Sequence, residues 1–265
     1  MNAAAPTDRF LALDAGNSSV KAAVWDGTRW SEVVRFDYDA GADEWAGRIR
    51  ALVPHGTPAG LASVVPQHTE ALAAGVTAAT GGAPIRISAR LPLPFEMAYR
   101  TPETLGADRI AVSVAAFGLG GGRPIIALDA GTAVTVDVVD VRGGAPVYLG
   151  GAIAPGPDLL ALALARGTGA LPRIPFGGTL LTVGDSTSEC IRTGVAAFLG
   201  AGVQRLVADA AAVLASSPFV VATGGVAPWL VAHGVAIDAL VPTLVLDGVR
   251  ALCISTDAAA SPRRG

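Results

Sequence analysis

Lysine is nearly missing from this sequence: Lys21 is the only one among 19 Lys and Arg residues. In a chain so rich in Ala, Gly and Arg, exchangeable lysines give way to arginine. The survivor is either chance or a place where a compact ammonium is needed and a planar guanidinium is not acceptable. Cysteine is scarce as well. Cys190 and Cys253 are too few and too far apart for a disulfide framework, which fits a reducing cytoplasm. His55, His68 and His233 are scattered without ligand spacing, so a structural zinc site is not expected. Aromatic residues are 5%, the formal net charge is −3 and no basic block exists, so nucleic acid is not an expected partner. No unbroken apolar run of about 18 residues suggests a membrane span. The stretch Met1 to Thr7 lacks a basic start and the apolar run after Arg9 is cut by Asp14, so no signal peptide is expected either.

What is abundant is Ala, Val and Leu, interrupted by Gly and Pro. Hydrophobic residues make 51% and charged residues 15% of 265 positions, enough for one large core or two moderate ones. The chain also repeats itself. Residues 12–16 read Ala-Leu-Asp-Ala-Gly, and so do residues 127–131. Phe10-Leu11 aligns with Ile125-Ile126, and Asn17-Ser18 with Thr132-Ala133. Each copy is an apolar run, Asp-x-Gly with a small polar residue, then a second β-rich run (Val20 to Trp25, Val134 to Val139). That grammar predicts a β-hairpin in each half.

The repeat predicts two similar α/β domains, over residues 1–120 and 121–265. The first should hold strands near 9–14, 19–26 and 30–36, and a helix at 42–53. A strand near 60–65, a helix near 68–79 and a strand at 84–87 follow, then a helix from Pro102 to Ala116 with Thr101 as N-cap. Gly120-Gly121-Gly122 should end it. The second half should hold strands near 124–129, 133–140 and 145–149. Helices at 157–166 and 187–214, a strand at 218–222 and a helix near 226–233 complete it.

Two Asp-x-Gly turns are a chemical arrangement as well as a topological one. A carboxylate can face a hydrated cation, and glycine lets backbone N–H groups approach a phosphate. Asp-x-Gly is also a plain turn signal, but two copies at corresponding positions argue for more. No G-x-x-x-x-G-K-[ST] loop occurs anywhere, so any phosphate binding must come from elsewhere, and Asp14 to Lys21 is the best candidate. Arg109 keeps two readings, a carboxylate ligand or a helix-surface arginine. Tyr99 on its own reads as a half-buried packing residue. Thr187, after Ser186, reads on its own as part of a helix cap.

With these residues the sequence resembles the acetate and sugar kinase, Hsp70 and actin superfamily, and within it the type III pantothenate kinases. The resemblance rests on Asp14-Ala-Gly-Asn-Ser-Ser-Val-Lys21, Ser63-Val-Val-Pro66, Leu105-Gly-Ala-Asp-Arg109, Asp129-Ala-Gly-Thr-Ala133, Leu149 to Gly156, Thr187-Ser-Glu189 and Thr223-Gly-Gly225, in that order. Residues 1–8, 27–58 and the tail from Asp257 match least. The resemblance implies two ribonuclease H-like domains with a cleft between them, and ATP-dependent phosphorylation of pantothenate to 4′-phosphopantothenate, the first step of coenzyme A biosynthesis. It implies ATP binding by Asp14, Ala15, Gly16, Asn17, Ser18, Ser19, Val20, Lys21 and Thr132, with Asp14 holding Mg²⁺ through water. Asp108 would be the general base. Tyr99, Gly106, Ala107, Asp108, Arg109 and Thr187 would bind pantothenate, and Asp129 a monovalent cation, K⁺ or NH₄⁺. A cytoplasmic homodimer with its pocket near the subunit interface is implied too. The alternatives are another small-molecule kinase of the superfamily, or a regulatory nucleotide-binding protein.

Overall fold

The computed structural model describes residues 9–177 and 181–260, which form two compact units. One comprises the chain up to Pro94, Arg100–Ala115 and the segment from Thr243; the other comprises Phe95–Tyr99 and Ala116–Pro242.

The first unit is built on a five-stranded sheet. Strands β1 (Phe10–Ala15) and β2 (Val20–Trp25) form the expected hairpin, and β3 (Val34–Phe36) adds antiparallel to β2. After helix α1 (Ala42–Arg50), β4 (Ala59–Ser63) pairs parallel to β1; after α2 (Pro66–Thr80), β5 (Ile85–Arg86) pairs parallel to β4. β1 lies at the centre and all six of its residues are buried, which is why it reads as apolar rather than alternating. The strand expected at 30–36 is shorter. Trp30 makes only an isolated bridge to Trp25, and regular pairing begins at Val34.

The second unit repeats this order. It carries β7 (Ile125–Ala130), β8 (Ala133–Arg142), β9 (Ala145–Pro155), β10 (Phe219–Thr223) and β11 (Ala239–Leu240), plus a two-residue strand β6 (Glu96–Met97) on β9. The sheet runs β11-β10-β7-β8-β9-β6, against β3-β2-β1-β4-β5 in the first unit. In each, the middle strand has an antiparallel hairpin partner on one side and a parallel strand on the other. This third-second-first-fourth-fifth order is the ribonuclease H-like topology of the actin-like ATPases.

Helices cover the sheets: α4 (Pro157–Gly167), α5 (Thr187–Ala212) and α6 (Ala227–Ala232) in the second unit, and α7 (Leu244–Ala260) in the first. By length and composition α5 could cross a membrane, but Ile191, Val195, Leu199, Val203 and Val207 form a buried stripe along it, and the last three join the second unit's core. Helix α7 was not expected, although Leu244, Val245, Val249 and Leu252 follow the helical period. It packs on β1 and β4. Gly248 lets it also lie close to the backbone at Ala111, whose carbonyl a Cβ there would meet.

The helix expected from Pro102 is corrected in its start. Pro102–Thr104 is one 3₁₀ turn, Leu105 is extended, and helix α3 runs Ala107–Leu119. Thr101 makes no capping bond to this turn, while the Gly106 carbonyl receives the Ile110 N–H at 3.1 Å. Proline at the first position opened the short turn, not the helix.

Candidate active site

In the first unit the β1–β2 hairpin sets Asp14 directly opposite Lys21. Lys21 Nζ donates to Asp14 Oδ2 at 3.2 Å. The carboxylate is almost fully buried while the ammonium is a third exposed, so the pair presents its positive end to solvent. Burial pushes the Asp14 carboxyl above the usual range, and Lys21 opposes the shift. The turn between them is Gly16 to Ser19, closed by Gly16 N–H donating to the Ser19 carbonyl at 3.2 Å. Asn17 and Ser18 are exposed at its tip. The Val64 N–H donates to the Ala15 carbonyl at 3.0 Å and ties the end of β1 to the segment after β4.

Asp108 lies in the same unit, in the first turn of α3. Its Oδ1 accepts the Arg109 backbone N–H at 2.7 Å, and the helix N-terminus favours a negative charge there. Burial nevertheless raises its pKa, and the nearby Asp14 charge raises it further. The two carboxylates therefore share one electrostatic neighbourhood. Glycine at 106 leaves the carboxylate undisturbed in this position, since a Cβ there would sit 2.5 Å from Asp108 Oδ1. Ala107 is buried beneath it, and Arg109 is only 7% exposed, which removes the reading of Arg109 as a solvated surface arginine.

In the second unit Asp129 lies near the end of β7, facing Thr135 across the β7–β8 pair and Thr223 of β10. Its turn is closed by Gly131 N–H donating to the Ala133 carbonyl at 2.9 Å. Thr132 is exposed at the tip, and its carbonyl accepts the Gly156 N–H at 2.9 Å. Two glycines press against this turn. Gly224, at φ +92°, leaves room for the Asp129 carboxylate, which a Cβ would approach to 2.7 Å. Gly156 lies against the Gly131 and Thr132 carbonyls, the latter 2.6 Å from where its Cβ would be. One carboxylate among backbone carbonyls is a donor set that fits a hard monovalent cation. Among the described residues, no group of three or more His, Cys, Asp or Glu forms a side-chain metal cage.

Thr187 and Tyr99 also belong to the second unit. Ser186, not Thr187, caps α5: its hydroxyl accepts the Glu189 N–H at 3.3 Å, leaving Thr187 exposed beside the cap. Tyr99 is half-buried, its ring packed against Gly150 and edge-on to Tyr148 at 6.0 Å. Tyr148 in turn donates to the buried Asp137 at 2.6 Å, a pair the sequence reading did not single out.

Residues 10–209 match the family model described as type III pantothenate kinase. The chain belongs to that family. A type III pantothenate kinase of Acidiphilium cryptum is 35% identical over 94% of this chain and 95% of its own length. One from Gluconobacter oxydans is 34% identical over 92% of each. A solved Campylobacter jejuni structure, provisionally described as a Baf family transcriptional activator, covers 94% of this chain and 99% of its own with a TM-score of 0.59. At 19% identity that likeness speaks for the fold alone.

Proposed function

We propose that this pantothenate kinase family member transfers the γ-phosphoryl group of ATP to the primary hydroxyl of pantothenate, giving 4′-phosphopantothenate and ADP. The observation that carries the reading, besides family membership, is that the first unit brings a buried carboxylate–ammonium pair and Asp108 into one electrostatic neighbourhood. Phosphoryl transfer asks for charge neutralisation, alignment and a proton acceptor, and these residues supply all three.

In this reading the turn Asp14 to Lys21 holds the ATP phosphates, with Lys21 as a point charge and the amides of Asn17, Ser18 and Ser19 as donors. Thr132 makes a further contact to ATP. Asp14 would hold Mg²⁺ through water, and the ion would neutralise phosphate charge. Asp129 and its neighbouring carbonyls would hold K⁺ or NH₄⁺. Asp108 accepts the hydroxyl proton as the oxygen–phosphorus bond forms and the bond to ADP breaks. A carboxyl held above its ordinary pKa is a stronger base than a solvated aspartate. Arg109 offers a planar fork to the pantothenate carboxylate. Gly106 and Ala107 leave room beside Asp108, and Thr187 and Tyr99 contribute further contacts. A cytoplasmic homodimer, with no nucleic-acid or membrane partner, completes the proposal.

An assay coupling ADP release to NADH oxidation tests it, with pantothenate, ATP and Mg²⁺ in K⁺ and in Na⁺. ADP release that requires pantothenate is expected. Release with sugars or acetate but not pantothenate would move the protein to another branch of the superfamily.

A further inference from the structure

Tyr38 has no part in the site as described so far. It follows β3 by two residues, in the stretch that matches the family pattern least. Its hydroxyl donates to the Gly16 carbonyl at 2.6 Å. Its ring is stacked on His68 of α2, with centroids 4.4 Å apart and planes at 18°. Burial, and then the charge of Asp14, pushes the phenol up to about 12, so it remains a donor throughout the physiological range.

We propose that Tyr38 is a positioning residue for the nucleotide: it grips the Gly16 carbonyl and thereby aims the Asn17 N–H at the bound phosphates. The Gly16 carbonyl and the Asn17 N–H belong to one planar trans peptide and point in opposite directions. Fixing the first toward Tyr38 fixes the second away from it, at the exposed tip of the turn. A hydrogen bond to the carbonyl also polarises the shared amide, which makes its N–H a better donor to an anion. The turn needs such a brace. Its own closing bond from Gly16 to Ser19 is at the long end of the usual range, and Asn17 and Ser18 are solvent-exposed. His68 holds the tyrosine ring in plane, so the brace runs from α2 through Tyr38 to the turn.

The inference rests on the reading of this turn as a phosphate loop, and the experiment keeps the two apart. Tyr38→Phe retains the ring and its stack but loses the hydroxyl. The measurements are KM for ATP, KM for pantothenate, the melting temperature and the Asn17 amide resonance of the nucleotide-free protein, with Lys21→Ala alongside. Loss of one neutral hydrogen bond should raise KM for ATP about 2- to 12-fold. KM for pantothenate and the melting temperature should hold, and the Asn17 resonance should move. If Lys21→Ala impairs ATP use but Tyr38→Phe does not, the brace is wrong and the loop stands. If neither variant affects ATP, the loop reading fails and the brace fails with it. If both KM values rise together, or the melting temperature falls by more than a few degrees, Tyr38 is an ordinary packing residue.

Discussion

The two hairpins share Ala-Leu-Asp-Ala-Gly but set different residues across from its aspartate. Through Asp-Ala-Gly they are identical, and both aspartates sit next to last in the central strand of their sheet. The turns then differ by one residue. Ala15 pairs with Val20, whereas Ala130 pairs with Val134. The residue opposite Asp14 is therefore Lys21, and the residue opposite Asp129 is Thr135. The first hairpin brings its own ammonium to the carboxylate. The second sets a neutral residue across the strand pair from its aspartate, and the proposed function puts the monovalent cation at this turn. In the proposed reading, one duplicated motif thus gives a fixed positive charge in one unit and a site for an exchangeable one in the other.

The largest expected effect lies on Asp108, the proposed general base. Asp108→Asn should keep the shape of the site and lower kcat about 10²- to 10⁴-fold, with a much smaller change in KM for pantothenate. The same variant tests the pKa argument. Because the Asp108 pKa is raised from 3.8, the folded chain keeps this proton to higher pH than the unfolded chain. Stability is then lost as pH rises from that ordinary value through the folded one. Asp108→Asn removes this loss, so at neutral pH it should melt at a higher temperature than the parent. A lower melting temperature by scanning calorimetry would mean that the carboxylate is paired more strongly than its burial suggests.

Lys21→Ala comes next. Hydrogen bonds to charged groups contribute about 1.5–3 kcal/mol, so ATP use should fall roughly 10- to 150-fold in kcat/KM. The K⁺ concentration for half-activation should stay near the parent's. Unchanged kinetics in ATP would return Lys21 to a solvated strand residue and end the comparison. Arg109→Lys should act on the other substrate. It should raise KM for pantothenate about tenfold and leave kcat nearly intact, because an ammonium cannot replace a bidentate fork. A kcat defect instead would place Arg109 at the phosphates.

Thr135→Lys sharpens the contrast most, although its effect should be the smallest. It gives the second hairpin the cross-strand ammonium of the first and should yield partial activity without K⁺. A steady-state titration with K⁺ and with a non-activating ion would show it.

The hairpins, their order and the apolar middle strands were legible because Asp-x-Gly between β-rich runs has one local solution. The residue facing each aspartate was not legible. It depends on whether the turn holds four residues or three, and aligning the copies by a constant offset hides that difference. The start of α3 was misread because Pro102 suits the first position of a 3₁₀ turn as well as of an α-helix. Helix α7 was missed although Leu244, Val245, Val249 and Leu252 carry the helical period. Tyr38 could not be seen at all. Its contact with Gly16 spans 22 residues and depends on β3 pairing in register with β2.

The most direct test of two hairpins with different sources of positive charge is a K⁺ titration of pantothenate-dependent ADP release, run on the parent, Lys21→Ala and Asp129→Asn. The account predicts that Asp129→Asn needs roughly tenfold more K⁺ or more for half-activation while keeping its KM for ATP at saturating K⁺. Lys21→Ala should show the reverse, a raised KM for ATP and an unchanged K⁺ requirement. If Asp129→Asn kept the parent's K⁺ dependence, or if Lys21→Ala shifted it as much, the division of roles between the hairpins would be contradicted.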